Sequence, residues 1–191
     1  MATADAVQDM GQTLVTMLQL GAIPGVAPTD VILATPDEFE PLAARSAPFP
    51  PTITVFLYRI TIAAEVRNAP KRTLPNGAIT RPLLPLELHY LVTPWATDTA
   101  AEHRIAGHVL QVLYDRAELG AADLQGASWM PGDSVQLILA SLPVEEHFQI
   151  WETTDAPYRL SLPYIARVIG IEPAEQRSYA PVLDAVFGRR P

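Results

Sequence analysis

The sequence predicts an α+β fold in which a mostly antiparallel sheet carries flanking helices. Residues 52–63 (TITVFLYRITIA) and 84–92 (LPLELHYLV) are long and dense in β-branched and aromatic side chains, the composition of strands. Asn76-Gly77 lies between them and tolerates the positive φ that a tight hairpin turn needs. Two further stretches, 4–20 and 99–116, repeat their apolar residues at helical spacing.

In the first of these, Val7, Met10, Leu14, Met17 and Leu18 form one stripe, and Gly21 followed by Pro24 ends the pattern. Val31 to Ala34 reads as a short strand, and the Pro-rich stretch 36–51 as a surface loop. Segment 52–63 is apolar at both parities, which predicts burial on both faces. In 99–116, Ile105, Val109, Val112 and Leu113 share a face, with Thr99 as N-cap and Glu102 placed to complete a capping box. Residues 134–142 follow as a strand. Residues 144–151 form a short helix with Val144, Phe148 and Trp151 in register, and 159–171 a last strand. Pro163 cannot donate to a ladder, so that strand belongs at a sheet edge or carries a bulge. The order α-β-β-β-α-β-α-β fits one domain over 4–172, followed by a C-terminal arm over 173–191.

A chain of 191 residues, 49% apolar, has the material for one packed core and shows no linker or repeat. With no cysteine, thiol nucleophiles, disulfides and zinc-thiolate sites are excluded, which fits a reducing, cytoplasmic setting. The N-terminal stretch carries Asp5 and Asp9 where a secretory signal needs positive charge, and arginines interrupt the longest apolar runs, so neither a signal peptide nor a membrane span is read. A net charge of −8 disfavours nucleic acid as a general partner. Against that acidic background Arg67, Lys71, Arg72 and Arg81 crowd into one stretch that has only Glu65 opposing them, a candidate contact for an acidic partner surface.

The residues supply little chemistry. His103 and His108 are five apart, roughly 140° around a helix, and cannot chelate together. No nucleophile elbow, dinucleotide fingerprint or phosphate loop occurs. Glu145-Glu146 suits the positive end of a helix dipole. Trp151 is assigned to a core or interface, with Trp95 and Trp129 in loops. No cofactor and no metal is expected. The one alternative with chemistry is a small-molecule enzyme or binding module built on the strand that holds His89 and Tyr90.

Phe56 to Thr73 (FLYRITIAAEVRNAPKRT), Arg81 to Trp95 (RPLLPLELHYLVTPW) and Ala156 to Glu172 (APYRLSLPYIARVIGIE) resemble the consecutive signatures of one family. The helical segment around Gly107 and the LPVEEHFQIW segment stand between them in the same order. The family is the cap, or tail-terminator, protein of extracellular contractile injection systems. The resemblance implies a tail-terminator-like domain and a non-enzymatic subunit in a six-fold ring. That ring ends the inner tube and anchors the last sheath layer, in a particle assembled in the cytoplasm and able to be released. Sheath protein, tube protein and further copies of the chain are the implied partners. A terminator or connector of a contractile phage tail is the nearest alternative. Within the arm, Val182, Leu183, Val186 and Phe187 gather in about two helical turns, too short to stand alone in water, and so need a surface to cover them.

Overall fold

A computed structural model of the chain describes residues 2–64, 72–73 and 79–173. Its centre is a long antiparallel pair. Strand β2 (Thr52–Ile62) runs from Thr52 opposite Trp95 to Ile62 opposite Leu86 on β5 (Leu84–Trp95). Their connection holds a small ribbon of β3 (Arg72–Thr73) and β4 (Ile79–Thr80), while the Asn76-Gly77 turn lies outside the described residues. On one side, β1 (Val31–Leu33) adds in parallel along Ile53–Val55. On the other, β8 (Leu162–Ile171), β7 (Val135–Leu139) and β6 (Glu118–Leu119) follow in antiparallel pairing, giving the order β1-β2-β5-β8-β7-β6. The sheet is therefore mixed, antiparallel except at one edge.

Alternation divides the sheet into two faces. Val55 of β2, Leu88, Tyr90 and Val92 of β5, and Tyr164 and Ala166 of β8 point into a large core roofed by α1 (Ala6–Leu20) and α3 (Thr99–Asp115). Both helices exist for the reason their stripes suggest: Met10, Leu14, Met17 and Leu18 of α1 are buried, as are Ile105, Val109 and Leu113 of α3. Gly21 ends α1 where a Cβ would lie 2.6 Å from the Val112 side chain, so the absence of a side chain there lets the two helices approach. The opposite face carries a smaller, aromatic core. There Phe39 of α2 (Phe39–Ala43) packs 5.4 Å from both Trp95 and Trp151, the latter on α4 (Val144–Glu152).

Several expectations are corrected. Stretch 36–51 is not all loop: Pro36–Glu38 makes a 3-10 turn that leads into α2. The Glu38 carboxylate accepts from the Thr35 N–H and hydroxyl, and Phe39 and Leu42, three residues apart, bury together. The N-cap of α3 is Asp98, whose carboxylate accepts from the Ala101 N–H at 2.8 Å, rather than Thr99; Glu102 turns instead to Arg159. Only the first part of β2, Thr52 to Val55, is buried on both faces, and Arg59, Ile60 and Ile62 are exposed. On α4, Val144 and Phe148 lie open while Trp151 alone is buried. Trp95 is a strand residue with its Nε1 donating to Thr54 Oγ1 at 3.0 Å.

The strand holding Pro163 is interior, between β5 and β7. The Pro163 carbonyl accepts from Ala140, one residue past the end of β7. N–H and C=O of one strand residue face the same side. The missing donor therefore points to where the β7 ladder is finishing and costs no central bond. The register shift in this pairing lies elsewhere, opposite Leu86 and Glu87.

Candidate functional site

Two surface features of the aromatic-core side stand out among the described residues. The first is a polar groove of about 450 Å³ between β2, β5, β8 and the start of α4. The β2–β5 register slips between Leu57 and Arg59, leaving Tyr58 as the extra residue and turning both Tyr58 and Arg59 toward this groove. Along its floor Arg167 Nε donates to Glu87 Oε1 at 3.1 Å, the Thr61 hydroxyl lies 2.8 Å from His89 Nε2 and 3.5 Å from Glu87 Oε2, and the Tyr58 ring meets the His89 ring edge-on at 5.9 Å. Arg59 and Glu146 face each other across the mouth at 4.0 Å, half exposed, so that pair is worth little. Burial holds the His89 imidazole below the ordinary histidine range, and the Arg59 charge pushes the same way against Glu87.

This arrangement gathers hydrogen-bonding groups without completing a nucleophile. An activated hydroxyl needs a base that a third group orients from the far ring nitrogen. Here Glu87 approaches the Thr61 hydroxyl itself and is already engaged by Arg167. Among the described residues no group of three His, Asp or Glu side chains is placed to hold a metal ion. Tyr90, the neighbour of His89 in the enzyme alternative, points to the opposite face, where burial pushes its hydroxyl pKa far up.

The second feature is an exposed aromatic pair. The Phe148 ring of α4 and the Tyr158 ring lie 4.6 Å apart, tilted by 41°, with Val144 also exposed on α4 in the company of Glu145 and Glu146. Together they make a small exposed apolar patch with carboxylates at its side. The helical period of 144–151 put Val144 and Phe148 in register with Trp151, but nothing in it pointed to Tyr158.

Of the basic stretch, Arg81 is exposed immediately after β4, and Arg72 lies in β3 opposite Thr80. Arg67 and Lys71 lie outside the described residues, as do Val182, Leu183, Val186 and Phe187. The ribbon places Arg72 and Arg81 on the connection between β2 and β5, beyond the end of the sheet where Ile60, Ile62 and Leu84 are exposed.

A family model described as the Pvc16 N-terminal domain matches residues 9–184. This chain belongs to that family. Its fold also matches two solved structures. One is the sheath/tube terminator of PVC, an extracellular contractile injection system, in its extended state: TM-score 0.64, 19% identity, covering 96% of this chain and 62% of that one. The other is the anti-feeding prophage cap that terminates the tube: TM-score 0.58, 17% identity, covering 95% of this chain and 61% of that one. The chain thus shares their fold and spans about three fifths of their length. Comparison with curated proteins finds no match. Among the described residues no helix is long and apolar enough to cross a membrane.

Proposed function

We propose that this protein is a structural cap of an extracellular contractile injection system, ending the inner tube and anchoring the last sheath layer. The observation that carries the reading is the family match over 9–184, reinforced by a fold shared with a sheath/tube terminator and a tube-terminating cap. A stack of identical rings keeps growing until something binds the last ring and presents a face that cannot accept another. A cap provides that face, and head-to-tail contacts around it close with the symmetry of the ring beneath, which for a six-fold tube means six copies. The domain over 4–172 seats the ring, and the arm over 173–191 with its apolar Val182, Leu183, Val186 and Phe187 docks on another subunit. Arg67, Lys71, Arg72 and Arg81 reach an acidic surface of the sheath, the tube or the next cap subunit. The protein assembles in the cytoplasm into a particle that can be released, with no enzymatic step of its own.

The test is location. A small gold-labelled affinity tag on this chain, imaged by electron microscopy on purified particles, is expected at the one end opposite the baseplate. Label scattered along the sheath, or absent from particles, overturns the reading.

A further inference from the structure

On the helical face of the sheet, a groove of about 450 Å³ opens between the first turns of α1 and the edge formed by β1 and β2, lined among others by Asp5, Val7, Gln8, Leu33, Leu57 and Tyr90. We propose that this groove receives the C-terminal arm of a second copy of the chain, with Val182 to Phe187 on its apolar wall and Arg189 and Arg190 beside Asp5. The inference rests on the cap reading.

The groove is suited to an apolar segment that carries positive charge. Leu33 stands 42% exposed on its wall, and Gly11 lets its side chain lie close against α1, since a Cβ there would come within 2.9 Å of it. Its described lining holds one acid, Asp5, and no base. The start of α1 has no side-chain cap, so backbone donors at Val7 and Gln8 remain for carbonyls of an entering segment. Tyr90 lies in the same lining with its buried hydroxyl unpaired among the described residues.

The arm matches on each count. The described chain ends at Pro173, with Glu172 donating to the Ala2 carbonyl at 3.0 Å and Ala2 donating to that of Gly170 at 3.1 Å, two residues ahead of Ala4 on the groove rim. Residues 174–191 follow: a polar leader, then Val182, Leu183, Val186 and Phe187, then Arg189 and Arg190. Eight leader residues span at most about 28 Å when extended, enough to cross a subunit boundary. Groove and arm are different surfaces of one chain, so each copy can pass its arm to the next, head to tail, and on the six-fold template of the cap reading that succession closes into a ring.

The natural chain lacks cysteine, which makes the test direct. One preparation carries Leu33→Cys or Gln8→Cys, another carries Phe187→Cys, and the two are mixed and oxidised as concentrated full-length chain and in particles. A disulfide-linked pair of one copy of each kind is expected, and a ladder of linked copies from the double variant Leu33→Cys/Phe187→Cys. Leu33→Glu, added to the Gln8→Cys preparation, is expected to reduce that link at least tenfold with an unchanged melting temperature. Cross-linking confined within single chains, or none in either preparation, overturns the inference. If it fails while the gold label still marks particle ends, the cap reading stands; a linked ring without end labelling defeats the cap reading alone.

Discussion

Arg159 and Glu102 tie the two layers of the molecule together at one end of the sheet. The Arg159 guanidinium donates to the Glu102 carboxylate in the first turn of α3, on the helical side. The same guanidinium lies 5.2 Å from the centre of the Trp95 ring, in the aromatic core on the other side. The side chains are 25% and 11% exposed, so each charge depends on the other for solvation lost on folding. Glu102→Ala is expected to destabilise by about 2–4 kcal/mol, because it leaves a guanidinium largely buried and unpaired. A chemical-denaturation cycle with Arg159→Met checks this: the double variant should lose less than the sum of the singles, and additive losses would mean the pair is not coupled.

The aromatic core depends on one residue of a five-residue helix. Phe39 is fully buried and touches Phe56, Trp95 and Trp151 edge-on or tilted at 5.4 to 5.6 Å. Phe39→Ala should cost about 3–5 kcal/mol and shift tryptophan emission to the red as Trp95 and Trp151 meet water. A loss under about 1 kcal/mol would show that α2 is peripheral.

Period and composition made β2, β5, α1 and α3 readable, since each is long enough for its pattern to repeat. Stretch 36–51 misled because five prolines obscure a helix of one turn; its only signals were Thr35 with Glu38 and the Phe39–Leu42 spacing. Pro163 was informative by half: its strand is interior and not at an edge, and it does carry a register shift, though opposite Leu86 and Glu87 and not at the proline. Local chemistry limits what proline can donate, but where a partner strand stops is a tertiary fact that no local rule contains. The polar groove was equally hidden, because Thr61, Glu87 and Arg167 converge from three strands and Arg59 turns inward only through a register slip. The family resemblance was legible, being carried by ordered motifs rather than by any single residue.

Acid should weaken the fold through two histidines. Burial lowers the pKa of His89, helped by Arg59, and that of His147, whose Nε2 sits 2.6 Å from Ser161 Oγ. The unfolded chain therefore takes up these protons first, near pH 6.5, so stability is full above that value, falls as pH drops through it and levels off below the folded values. Melting curves between pH 8 and 5 should show this decline, and His147→Gln should flatten part of it. A melting temperature that rises on acidification across this window contradicts the assignment.

The basic stretch gives a prediction that separates contact from fold. Replacing Arg67, Lys71 and Arg72 with Ser should leave the melting temperature nearly unchanged and lower incorporation into particles, more so as salt is reduced, because rim charges mainly set association. Equal incorporation at every salt concentration would return these residues to solvent.

Removing residues 180–191 should likewise yield a folded monomer that no longer caps particles. Unfolding or aggregation of the truncated chain would place Val186 and Phe187 in its own core, where each would contribute about 1.5–3 kcal/mol.

If this chain ends a tail, the length distribution of particles made without its gene must change. Loss of the cap should broaden that distribution and leave tube and sheath ends frayed or disassembling, with both restored by supplying the intact chain in trans. Particles of uniform, unchanged length with stable ends in its absence would contradict the account.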